Sequence, residues 1–153
     1  MEVEDFLSQL EKLIEEGKDE EAEKLVKDFA KGKEDEVAEL LGKVGVDIGN
    51  KGEHEKAIYY FIFTRRISGN MDIIRKATES YATACFNTGI HYLGLSEGKN
   101  KEINLKKSLI AFKKVSKIKT EDRQKKETQK KLPWALTSYQ LISSSPFLSS
   151  VFL

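Results

Sequence analysis

At 153 residues the chain has room for one domain that buries roughly two-thirds of the surface its unfolded state exposes. Charged residues make up 33% of it and prolines number only two, which suits helices and disfavours a sheet protein, whose strands draw on β-branched and aromatic residues. One cysteine excludes an internal disulfide, and a net charge of +1 conceals an uneven distribution.

Residues 1–58 carry 18 acidic and 9 basic side chains, residues 59–98 carry 3 and 4, and residues 99–131 carry 4 and 13. Leu132 to Leu153 carry none. The chain therefore runs acidic, near neutral, basic and finally uncharged. Met1 leads straight into Glu2, Glu4 and Asp5, without the basic and apolar regions of a secretory signal, and this predicts a cytoplasmic protein. Abundant lysine and glutamate with little glutamine or cysteine also fit a thermophilic source.

In chain order, a first helix is predicted over Val3 to Glu16, with Phe6, Leu10, Leu13 and Ile14 on one face. Gly17 closes it, since glycine tolerates the left-handed backbone of a helix end. A second helix, Asp19 to Ala30, turns Ala22, Leu25, Val26 and Phe29 inward and stops at Gly32. Val37, Leu41, Val44 and Ile48 mark a third, closed by Gly52, and Ala57, Ile58, Phe61 and Phe63 mark a fourth. A long fifth helix, Met71 to Leu95, presents Ile74, Ala77, Tyr81, Ala84, Thr88, Tyr92 and Leu95. Ser96 to Asn100 reads as a loop. Ile103, Leu109, Phe112, Val115 and Ile118 mark a sixth helix, and a lysine-rich seventh segment starts near Thr120, where an acidic pair suits a helix N-terminus.

The pattern repeats. Gly17 precedes Ala22 by five residues, Gly52 precedes Ala57 by five, and the two pairs lie 35 residues apart. A helical pair recurring at that interval cannot bury its apolar face alone, so it implies stacked hairpins forming a solenoid. The residues resemble tetratricopeptide repeats. Over residues 38–69 the resemblance rests on Leu41, Val44, Gly45, Ile48, Gly52, Ala57, Phe61 and Thr64. Phe6, Leu10, Leu13, Gly17, Ala22 and Val26 carry it over residues 3–31. Cys85, Gly89, Tyr92, Ser108, Phe112 and Val115 carry it over residues 82–118, with about seven extra residues around Ser96–Asn104. It implies an all-α, right-handed helical-hairpin solenoid with a C-terminal helix, a repeat domain over residues 1–142 and an uncharged tail over 143–153. Ala57 is expected to face Gly45 where the hairpin helices cross closely, with Phe61 and Tyr92 filling the space between hairpins.

No catalytic constellation stands out. Gly42, Gly45, Gly49 and Gly52 surround Lys43, but at neither dinucleotide-binding nor P-loop spacing; their steps of three and four place them on one helix face. His54 and His91 lack the convergent ligands a metal needs, and Cys85 has no histidine base in reach along its helix. No enzyme, cofactor or metal site is therefore expected. What the resemblance implies is a concave groove binding a protein or peptide, lined by Glu39, Lys43, Val46 and Asn50, then Thr83, Asn87 and Ile90. Some family members clamp a C-terminal carboxylate there. Asn87 occupies one clamp position, whereas Gly42 and Val46 stand where lysine and asparagine would be needed.

The basic segment 99–131 has two readings: a solvated face, or a footprint for an acidic protein or RNA. Its one aromatic, Phe112, falls on the apolar stripe, leaving no ring for base stacking. A head-to-tail homo-oligomer, acidic end on basic end, is a further expectation. Trp134 to Ile142 is expected to form a capping helix. The uncharged end beyond it fits a segment buried in the groove, a partner-binding peptide, a weak membrane contact or an end foreign to the native reading frame; it is too broken by serine and proline to span a bilayer.

Overall fold

The computed structural model describes residues 1–95 and 100–117, and every regular element among them is an α-helix. These are α1 (Val3–Glu15), α2 (Asp19–Ala30), α3 (Glu34–Asn50), α4 (His54–Ile67), α5 (Met71–Gly94) and α6 (Lys101–Ser116). Among the described residues the chain is all-α, as its composition implies. It divides into two compact units, Met1–Tyr81 and the residues from Ala82 onward, with the boundary inside α5. The seventh segment, the capping helix and the tail boundary at residue 142 lie outside the described residues.

Helices α1, α2 and α3 start without a side-chain cap. Their first turns hold Glu4 and Asp5, then Asp19, Glu20 and Glu21, then Glu34, Asp35 and Glu36, which places negative charge against the positive end of each helix dipole. Their ends are equally regular. Gly17 takes φ +71°, its N–H donates to the Ile14 carbonyl at 3.1 Å, and the Lys18 N–H donates to the Leu13 carbonyl at 2.9 Å. Thirty-five residues on, Gly52 takes φ +88°, donates to Gly49 at 2.9 Å, and the Glu53 N–H reaches Ile48 at 3.2 Å. The same pair of end-of-helix bonds thus turns both hairpins.

In the first unit, one core gathers Phe6, Leu10 and Ile14 of α1, Ala22, Val26 and Ala30 of α2, Val37 and Leu41 of α3, and Tyr60 and Phe63 of α4. The Phe6 and Phe29 rings stack at 3.9 Å between centroids. Helix α4 is buried on two sides: Tyr60 and Phe63 enter this core, while Ala57, Phe61 and Thr64 face α3. Burial pushes the Tyr60 hydroxyl up to about 12, with the Glu11 charge adding to it. Lys56 lies beside Glu11, Glu15 and Glu53, which ties α4 to α1. Its ammonium is held above the usual lysine range, first by the hydrogen bond to Glu11 and against its partial burial.

The glycine face of α3 packs in strict antiparallel register on α4. A Cβ added at Gly42 would lie 3.9 Å from Thr64, one at Gly45 would lie 2.7 Å from the Phe61 ring, and one at Gly49 would lie 3.8 Å from Ala57. This corrects the expected Ala57–Gly45 crossing by one turn: Ala57 faces Gly49, and Gly45 makes room for Phe61. Gly52 is not on that face, because α3 stops at Asn50 and Gly52 forms the turn.

In the second unit the C-terminal part of α5 meets α6. Leu109 and Phe112 are fully buried and pack with Phe86 and Leu93. A Cβ at Gly89 would lie 2.6 Å from the Phe112 ring, repeating the glycine-to-ring contact of Gly45 and Phe61. Ser108 donates to the Gly89 carbonyl at 2.8 Å. Two expected core positions are instead exposed: Leu95, just past the end of α5, at 47%, and Ile103, in the first turn of α6, at 51%. Both sit beside the α5–α6 connection, where the helices have ended or only begun to cover each other.

Candidate functional site

The α4–α5 connection is anchored on the start of α3. Asp35, in the first turn of α3, accepts from the Ser68 hydroxyl at 2.9 Å and the Gly69 N–H at 3.1 Å. Asn70 then caps α5, its side-chain oxygen accepting from the Asp72 N–H at 2.9 Å. Farther along, the Arg65 guanidinium lies 5.3 Å from the Tyr81 ring centre.

Between these anchored ends, α3, α4 and the first three turns of α5 line an open trough of about 610 Å³. Its floor is apolar: Gly42, Val46, the Phe61 ring, Ile73 and Ala77. Glu39, Lys43 and Asp47 stand along one wall on α3, and Lys76, Glu79 and Ser80 on the other. Arg75 lies 3.7 Å from Glu79. Glu39, Lys43, Asp47 and Lys76 make no ion pair with any described residue, so their charges face solvent.

Of the groove residues expected from sequence, Glu39, Lys43 and Val46 meet on this trough, and Val46 is 45% exposed although it is apolar. Asn50, at the last position of α3, is exposed and outside it. Thr83, Asn87 and Ile90 belong to the second unit, where their spacing puts them on one face of α5; the first two are half-buried and Ile90 is exposed. Sequence reasoning missed the opposite wall. Ile73, Lys76 and Ser80 follow helical spacing from the Asn70 cap, a readable signal once that cap fixes the phase of α5.

Gly42 is informative. Its neighbour across α3–α4 is 3.9 Å from a would-be Cβ, an ordinary contact, so helix packing does not require a glycine there as it does at Gly45. The missing side chain enlarges the trough instead.

Other candidate groups are apart from this site. His54 opens α4 half-buried, His91 is exposed with its ring 5.4 Å from Tyr92, and the Cys85 thiol is buried in the second unit. Among the described residues no three His, Cys, Asp or Glu side chains converge as metal ligands. No helix among them is long and apolar enough to cross a membrane. No family model matches the chain, and no curated protein or solved structure matches it.

Proposed function

We propose that the chain is a non-enzymatic protein-interaction module, a right-handed tetratricopeptide-like solenoid that takes a peptide segment of a partner protein in the α3–α5 trough. The carrying observation is the trough itself: an open apolar floor, with the exposed Val46 on it, between two walls of solvent-facing charge. Apolar floors supply affinity, and a few polar groups around them orient the occupant. The solenoid reading draws on the two identical helix endings 35 residues apart and on the glycine-to-ring contact that recurs at Gly45–Phe61 and Gly89–Phe112. The first hairpin fits the same plan with volumes exchanged. Thirty-five residues before Gly45 and Phe61 stand Leu10 and Val26, both buried in one core. An RNA-associated role for residues 99–131 is the weaker reading, because Phe112, their one aromatic, is fully buried.

The test is a random-peptide display selection on the intact chain, with binders measured by fluorescence anisotropy against Val46→Arg and Gly42→Leu. Val46→Arg acts from the exposed part of the floor, and because the Cβ of Gly42→Leu would already touch Thr64 at 3.9 Å, a circular dichroism spectrum and urea midpoint like the original check that this variant keeps the α3–α4 crossing. Selected peptides should lose at least tenfold in affinity to each. Peptides that bind both variants as well as the original chain would overturn the assignment.

A further inference from the structure

The described part of the second unit leaves one apolar helix face uncovered. Ile103 and Ile110 lie two turns apart on α6 and are 51% and 38% exposed, whereas Leu105, Leu109, Phe112 and Val115 are buried. Lys107, Lys114 and Lys117 share the isoleucine side of the helix by spacing, and all three are exposed. Between Lys101 and Lys117 there are six lysines and a single acid, Glu102.

The first turns of α1 and the two residues before it carry the complementary surface. Met1 and Val3 are 68% and 44% exposed, and Leu7 is half-buried one turn farther on. Glu2, Glu4 and Asp5 surround them, exposed and without an ion pair to any described residue. The carboxylates that would neutralise the α6 lysines are thus on the chain itself, next to an apolar edge that matches Ile103 and Ile110 in character.

We infer that the α6 face of one copy docks on the α1 edge of a second copy. Lysines then meet carboxylates around a small isoleucine–valine centre. The two surfaces differ, so the contact is heterologous, and each copy keeps one live surface when the other is blocked. One helix face against another is a small interface, at the weak and transient end of the range. Charge complementarity governs its encounter rate and makes it sensitive to salt. The contact uses no residue of the trough, so it stands or falls apart from the peptide-binding reading.

Sedimentation velocity on the full chain tests this at ionic strengths of about 0.1 M and about 1 M, between which the screening length falls from about 10 Å to about 3 Å. The original chain should associate with rising concentration at the lower salt and be monomeric at the higher. Ile110→Glu puts a carboxylate on the α6 face, and Val3→Lys puts an ammonium on the α1 edge. Both positions are exposed, and a far-UV circular dichroism spectrum like the original checks folding; Lys114→Glu is the fallback on α6. Each variant alone should associate at least tenfold more weakly. Mixed together they should form a one-to-one heterodimer and nothing larger, because one retains its α1 edge and the other its α6 face. A monomer at both salts, a mixture that stays monomeric, or association that survives both substitutions would overturn the proposal.

Discussion

Gly42 and Gly45 stand one turn apart on α3, and the same substitution should act on them with opposite sign. In Gly45→Ala the new methyl would lie 2.7 Å from Cε1 of Phe61, 3.0 Å from Cζ and 3.1 Å from Cδ1. Phe61 is 4% exposed, and its ring is held between α3 and the rest of α4, so either the ring or the helix must move. Overpacking of this kind costs about 1–3 kcal/mol. Alanine returns about 0.5–1 kcal/mol through the smaller entropy it loses in a helix. The balance is a net destabilisation between about 0 and about 2.5 kcal/mol, centred a little above about 1 kcal/mol. In Gly42→Ala the nearest atoms are at 3.9 Å, so the overpacking is absent and the helix gain of about 0.5–1 kcal/mol remains. Urea unfolding followed by circular dichroism measures both on the same footing. Phe61→Leu supplies the control: combined with Gly45→Ala it should be less damaging than the two single effects added, by about 0.5 kcal/mol or more. Equal stability of the two alanine variants, or strict additivity with Phe61→Leu, would refute the assignment of Gly45 to the ring.

Gly89→Ala should destabilise the second unit in the same way, since its methyl would meet Phe112 at 2.6 Å; a urea midpoint unchanged from the original would remove the recurrence. Gly52→Ala forces a side chain into φ +88° with no other atom nearby, so its loss of about 1–2 kcal/mol is purely backbone strain and should appear in the same unfolding assay. Raised pKa values mean that the folded chain holds these protons more tightly than the unfolded one: the Lys56 contribution is complete below the usual lysine range and fades above it, and Tyr60 contributes until its ordinary value of 10.0 and fades toward about 12. Stability should therefore fall as pH rises through that window, less steeply in Lys56→Met, and a spectrophotometric titration should find a tyrosine ionising near 12 that Tyr60→Phe removes.

The helices were legible wherever local chemistry punctuates them. Gly17 and Gly52 supply the positive φ that ends a helix, and acidic first turns mark the starts, so α2 falls on the expected Asp19–Ala30 and α1 within one residue of its expected end. Burial on α4 was harder to read. A helix with one apolar stripe announces which side is buried, but α4 packs on two sides, and Tyr60 enters the core from a position that the Phe61 stripe does not include. The crossing of α3 with α4 shows a different limit. A 35-residue period says which positions are small, yet which small residue meets which partner depends on the length and shape of the turn, and that moved Ala57 from Gly45 to Gly49. Half of the trough was hidden for a related reason. Glu39, Lys43 and Val46 follow from the phase of α3, whereas the opposite wall depends on Asp35 holding the α4–α5 turn, a contact between residues 33 and 34 positions apart.

Three glycines that look alike in the sequence therefore have three different surroundings. Glycine inside a helix is unfavourable by about 0.5–1 kcal/mol relative to alanine. At Gly45 that loss is offset by a buried ring that no other residue would admit, and at Gly49 the small pair with Ala57 lets two helices approach. At Gly42 the fold offers no such return, for alanine would fit without displacing anything. What glycine leaves there is open volume on the floor of the trough, next to an exposed valine and solvent-facing charges of both signs. A local choice that lowers stability with no packing gain is where function is expected to have set the sequence. Gly42 is therefore the residue on which the peptide-binding proposal is best tested, because its alanine variant should be more stable than the original chain while narrowing the very space a partner would fill.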